Sequence, residues 1–156
     1  MKILLAVDGS ECSAAAVDEI ARRTWPTPSE VKIISAIEPI ISAVPEVWML
    51  SPDYFEETSK ALREQAREVI EGAASKFREG KDRALKISSE IIEGTAKRVI
   101  LDEAESWDAD LIVVGSHGYG ALNRFLLGSV SQAVALHAKC SVEIVRCRTT
   151  EESETK

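Results

Sequence analysis

Apolar residues fall along this chain in short solid runs separated by longer amphipathic stretches. That alternation predicts strands buried on both faces of a sheet and helices that cover it. The first run, Lys2 to Val7, stops at Asp8-Gly9-Ser10. Ser10 is a helix-capping residue with Glu11 in the first turn, and Ala14, Val17, Ile20 and Ala21 recur behind it at helical steps. The helix so predicted must end before Pro26 and Pro28, because proline disfavours helical geometry in the residue before it. Val31 to Ile37 predicts a second strand closed by Glu38-Pro39. Ile40 to Ser51 is apolar but broken by Pro45, and is expected to be a loop lying on the domain's own core, with a lid or partner surface around Trp48 as the alternative.

Ser51-Pro52-Asp53 combines a cap, a proline suited to the first helical position and an acid in the first turn. Phe55, Leu62, Ala66, Val69, Ala73 and Phe77 then recur every three to four residues, opposite a face of charged residues, up to Gly80. This predicts an amphipathic helix of about seven turns. Leu85 to Ile92 carries β-branched residues and predicts a third strand. Glu93-Gly94-Thr95 turns into a helix with Val99, Ile100 and Ala104 inward, ending near Trp107. Leu111 to Val114 is the fourth strand, Ser129 to Ala138 a short helix, and Val142 to Val145 the fifth strand. The order β-α-β-α-β-α-β-α-β is that of an open parallel sheet with helices on both faces. Ligands of such sheets bind beyond the carboxyl ends of the strands, where the strand order reverses. If the first and fourth strands flank that point, Asp8 and Gly115 face each other across one crevice.

The bulk numbers narrow the function classes. With 156 residues, 45% hydrophobic and 29% charged, the chain suits one globular domain, expected over 1–148, followed by a disordered acidic tail over 149–156. A formal net charge of −7 argues against a domain that grips nucleic acid. No apolar run approaches the roughly 20 residues of a membrane span, and the first run is too short for a signal peptide, so the expected location is the cytoplasm. Cys12, Cys140 and Cys147 stand at no metal-like spacing, with His117 and His137 the only histidines. Neither a zinc site nor a disulfide framework is expected. Cys140 and Cys147 read as small buried hydrophobes, and Cys12 as a packed residue with a reactive thiol in a helix's first turn as the alternative.

The chemistry concentrates after the fourth strand, where a glycine-rich loop runs into a helix that begins at Gly128-Ser129. Glycines let a backbone approach a ligand closely, and a helix N-terminus offers N–H groups and a positive dipole end to an anion. A P-loop would need a lysine that is absent here, the dinucleotide fingerprint has different glycine spacing, and no hydrolase elbow is present. What stands is Gly115-x2-Gly118-x9-Gly128-Ser129.

With that motif, the amino-terminal Lys-Ile-Leu-Leu-Ala-Val-Asp8-Gly9-Ser10 and the carboxyl-terminal Cys140-Ser-Val-Glu-Ile-Val-Arg146, the chain resembles the universal stress protein family over nearly its whole length. The resemblance implies the ATP-binding subgroup and a Rossmann-like five-stranded sheet of order 3-2-1-4-5. It further implies that Gly115, Gly118, Gly128 and Ser129 hold phosphates and ribose, with Val130 and Ser131 continuing the helix N-terminus. Asp8, preceded by Ala6 and Val7, would lie beside the nucleotide and a Mg²⁺ ion. Ala36, next to Ile37, would meet adenine through its backbone, and Val114, Ser116 and His117 complete the expected site. Ser141 departs from the proline common there in the family. Arg124 and Lys97 are candidates for phosphate neutralisation, and His117 for a loop-fixing donor or a general base. The resemblance also implies a homodimer through the fifth strand, and a nucleotide-dependent stress-response module. The alternatives are a slow ATPase or autophosphorylating enzyme, or a binder of AMP or a cyclic nucleotide.

Overall fold

The computed structural model describes residues 1–39, 52–79, 85–118 and 127–147. Lys2–Ala6 (β1), Glu11–Ala21 (α1), Glu30–Ile37 (β2), Pro52–Glu79 (α2), Lys86–Glu93 (β3), Ala96–Ser106 (α3), Leu111–Gly115 (β4), Ser129–His137 (α4) and Ser141–Val145 (β5) follow in strict alternation. The strands form one parallel sheet of order β3-β2-β1-β4-β5, the arrangement expected. Central β1 sets the register, with Ile3 beside Val31 of β2 and Leu111 of β4. Its apolar run is solid because both faces are covered: Ile3, Leu4 and Leu5 are fully buried.

Alternate residues feed two cores. Ile3, Leu5, Val31, Ile33 and Val113 pack with Ala16, Val17 and Ile20 of α1 and with Ile70, Ala73 and Phe77 of α2. Leu4, Ile34, Ile112 and Val114 pack on the other face with Val99, Ile100 and Ala104 of α3 and Val134 of α4. Lys32 faces this second side, held by Glu90 at 2.6 Å and Glu103 at 2.5 Å. Burial pushes its ammonium down, but the two carboxylates outweigh that and leave its pKa raised.

The structure differs from the expected pattern in detail. Val7 lies past the end of β1, although its N–H still reaches the Ile34 carbonyl at 2.9 Å. Ile70 joins the buried face of α2. Ile40 to Ser51 and the tail from Thr149 to Lys156 lie outside the described residues. Among the described residues no helix is long and apolar enough to cross a membrane.

One expectation is overturned. Cys12 and Cys147 are not separate packed thiols but are joined in a disulfide, with their Cα atoms 4.5 Å apart. Packing of α1 against β4 and β5 brings together two residues separated by 135 positions, a juxtaposition that no local spacing encodes. Cys140 is the free cysteine; burial pushes its thiol up, consistent with an inert packed residue.

Candidate functional site

The strand order reverses between β1 and β4, and the loops that leave these two strands meet beyond their carboxyl ends. From β1 the chain turns through Asp8 and Gly9, whose φ of 82° favours a residue without a Cβ. Ser10 then caps α1, its hydroxyl accepting from Ser13 N–H at 3.2 Å. Asp8 Oδ1 accepts from Ser10 N–H at 2.9 Å and from Ser10 Oγ at 2.6 Å, which fixes the carboxylate. The other carboxylate oxygen faces Gly118, where a Cβ would lie 2.7 Å away. Ser10 Oγ is also 3.2 Å from the His117 carbonyl, so the two loops are held together.

From β4 the chain passes Gly115, whose missing side chain lets the backbone of α1 close upon it. A Cβ there would be 2.7 Å from both Cys12 C and Ser13 N. Ser116 is buried and acts as a backbone junction: its N–H donates to Val145 O at 2.7 Å and its carbonyl accepts from Gly128 N–H at 2.8 Å. Ser131 Oγ donates back to Gly115 O at 2.7 Å and lies 3.2 Å from Ser116 O. These bonds press the start of α4 against the end of β4. Gly128 is the N-cap of α4, in extended geometry and with no side-chain cap. Among the described residues no side chain caps the first-turn N–H groups of this helix, and the positive end of its dipole opens into the crevice.

A cavity of about 680 Å³ occupies that crevice, within the usual size of a small-molecule site. β1 and its turn contribute Ala6, Val7 and Asp8, and β2 contributes Ala36. Val114, Gly115, His117 and Gly118 come from β4 and its loop, and Gly128, Ser129, Val130 and Ser131 from α4. Two expected residues are not part of the lining. Ile37 points to the opposite face from Ala36, as strand alternation requires, and Ser116 is buried beneath the lining with its hydroxyl 3.1 Å from His117 Nδ1. Ser13, Ile34, Glu38, Ala96 and Ile100 complete the described lining without belonging to a motif. Ile34 and Glu38 were within reach of the sequence, since Ile34 stands two residues before Ala36 on one strand face and Glu38 two residues after it, just past the end of β2. Ser13, Ala96 and Ile100 come from helices that only the fold brings there.

Among the described residues the lining carries two carboxylates, Asp8 and Glu38, and neither lysine nor arginine. Lys97 is exposed and outside it, and Arg124 falls outside the described residues. Among the described residues, the groups that attract an anion are the backbone amides of α4. No group of three or more His, Cys, Asp or Glu side chains among the described residues could hold a metal ion. Asp8 and Glu38 are the carboxylates of the described lining, hard oxygens of the kind Mg²⁺ takes when substrate phosphates supply the other ligands.

The model of the universal stress protein family matches residues 1–146. A universal stress protein of Methanocaldococcus jannaschii is 31% identical over 145 residues, covering 93% of this chain and 81% of that one. Among solved structures, universal stress protein UspA from Lactobacillus plantarum superposes with a TM-score of 0.76 at 25% identity, over 94% of this chain and 97% of its own. A universal stress protein family protein from Arabidopsis thaliana, with AMP bound, shares the fold with a TM-score of 0.68 at 20% identity, over 100% and 97% of the two chains. A match that spans the sheet from β1 to β5, together with the glycine-lined crevice between β1 and β4, means that this chain belongs to the universal stress protein family.

Proposed function

We propose that the crevice binds ATP and that the protein acts as a nucleotide-dependent module of a stress response. The observation that carries this reading is the uncapped N-terminus of α4, with Gly128 and Ser129 opening onto a cavity that the apolar Ile34 and Ala36 also line. Phosphates meet the amides of α4, and a flat base meets the apolar strand face beside the backbone of Ala36. Where Mg²⁺ accompanies the triphosphate, Asp8 is the protein group that would hold it. Ligand preference for one state stabilises that state by mass action, so nucleotide level is read out without chemistry. The described lining offers His117 and Asp8 but no arginine to stabilise charge on a transferring phosphoryl group, which favours binding with at most slow hydrolysis. We further propose a cytoplasmic homodimer that pairs through β5, an edge strand whose Val142, Ile144 and Val145 are only half-buried.

Mass spectrometry of nucleotide released from freshly purified protein tests the reading, with Gly118→Val and Gly128→Val as controls. ATP in the wild type and its loss in both variants is the expected result. A second reading, AMP or another singly phosphorylated adenine nucleotide, is favoured by the two carboxylates of the lining and by the AMP-bound Arabidopsis relative. Calorimetric titration of ATP and AMP, each with and without Mg²⁺, separates them. ATP binding that requires Mg²⁺ supports the first reading, and tighter, Mg²⁺-independent binding of AMP replaces it with the second.

A further inference from the structure

The Cys12–Cys147 disulfide is not needed by the nucleotide reading, yet it sits directly behind the nucleotide cavity. Cys12 is in the first turn of α1 and almost wholly buried, whereas Cys147, two residues past the end of β5, is only half-buried. We propose that this pair is a reversible thiol–disulfide switch that sets the affinity of the α4 cradle for nucleotide, an inference that rests on the nucleotide-binding reading above.

The coupling runs through the packing of Cys12 on Gly115 and the bonds of Ser116. The backbone of Cys12 packs on Gly115 so closely that no side chain fits between them. The Ser116 hydroxyl donates to Cys12 Sγ at 3.6 Å and lies 3.1 Å from His117 Nδ1. The Ser116 carbonyl holds Gly128 N–H, and its N–H holds Val145 O two residues before Cys147. Ser116 thus touches the sulfur on one side and the cradle on the other. While the disulfide is closed, it ties the chain beyond β5 to α1 and clamps Gly115 and Ser116 between them. Once it opens, that chain loses its covalent tie to α1 and is held by the β4–β5 ladder, the Arg23–Glu143 ion pair and the packing of Val145 on the first core, and Cys12 Sγ becomes a thiol or thiolate that competes with His117 for the Ser116 hydroxyl.

The chemistry is ordinary exchange with a small dithiol. One thiolate of the dithiol attacks the more accessible Sγ of Cys147, forming a mixed disulfide and releasing Cys12 Sγ as a thiolate. The N-terminal end of α1 favours that leaving charge. The second thiol of the dithiol, as thiolate, attacks the mixed disulfide and releases the Cys147 thiolate. The protein gains two electrons and, after protonation of both sulfurs, two protons, and the dithiol leaves as its cyclic disulfide. Structural disulfides are uncommon in reducing compartments, whereas redox-sensing ones are found there, so the switch also fits the proposed cytoplasmic location.

The test compares the air-oxidised full-length protein with the same protein held in excess dithiothreitol. The first measurement is the calorimetric Kd for AMP and for ATP with Mg²⁺. The second is amide hydrogen exchange at Gly128 to Ser131 without ligand. Reduction is expected to weaken nucleotide binding about tenfold and to speed exchange at the start of α4. The double variant Cys12→Ser, Cys147→Ser should match the reduced form in both measurements and ignore dithiothreitol, while Cys140→Ser should respond as the wild type does. Three free thiols in the air-oxidised protein, or equal affinity and equal exchange in the two redox forms, overturns the switch. Exchange that changes while neither form binds nucleotide overturns the nucleotide reading and leaves the redox coupling of α4 standing.

Discussion

Helices α1 and α4 begin at the same end of the sheet, both against the end of β4, and their N-termini are finished in opposite ways. The start of α1 is closed by its own chain: Ser10 caps it, Asp8 accepts from Ser10, and Cys12 is bonded to Cys147. The start of α4 has Gly128 for a cap and, among the described residues, no side-chain cap upon its first amides. A capped helix end has spent its donors on the fold, and an uncapped one keeps them for an anion. In this crevice α1 is therefore scaffold and α4 is receptor, with Gly115 and Ser116 the seam between them.

The seam is the place where the contrast breaks most completely. Gly115→Ala puts a Cβ at 2.7 Å from backbone atoms of Cys12 and Ser13, with no side-chain freedom to relieve it. A loss of about 3 kcal/mol in folding stability is expected, read by denaturant unfolding, because close-packed backbone cannot absorb an extra methyl group. Next in size is Gly128→Val. Its Cβ meets Ser116 O at 3.2 Å and His117 Cα at 3.3 Å, and its branches cover the α4 amides. Nucleotide affinity measured by calorimetry should fall at least about 100-fold, roughly 2.7 kcal/mol, while the circular dichroism spectrum stays that of the wild type.

Two serine variants bear on the same contrast with smaller effects. Ser131→Ala removes the hydroxyl that ties α4 to the Gly115 and Ser116 carbonyls. About 1.5 kcal/mol of stability should go, and nucleotide affinity with it, since a latch on the receptor serves both. Ser10→Ala removes the cap of α1 and one of two bonds to Asp8 Oδ1. The expected result is about 1 kcal/mol lower stability, a shift of about 3 °C in Tm by calorimetry, with a far smaller change in affinity than Gly128→Val produces. Equal losses of affinity in the Ser10 and Gly128 variants would erase the division into scaffold and receptor.

Much of this was legible along the chain because it depends on neighbours. The solid run ending at Val7 and the one over Leu111 to Val114 announce strands covered on both sides, and proline at position 52 marks the start of α2 at the residue where it begins. Gly115, Gly118 and Gly128 mark close approaches whose partners the structure names: the α1 backbone, the Asp8 carboxylate, and the Ser116 and His117 backbone. Ser13, Ala96 and Ile100 line the cavity without any local signal, because a small or apolar residue in a helix looks the same whether it packs on a core or on a ligand space. Ser116, expected at the site, lies beneath the described lining, where it acts through its backbone bonds and its buried position.

By itself the sequence determined the alternation of strands and helices, the glycine-to-helix motif after β4 and the membership in a family, since each is written in periodicity and spacing of a few residues. Only the tertiary structure decided that the expected free thiols at 12 and 147 are one disulfide and that two carboxylates face the cavity. It also decided that α1 is closed while α4 is open. Those outcomes depend on which helix lands on which face of the sheet, and side chains separated by a hundred residues meet only after the strand order has been chosen.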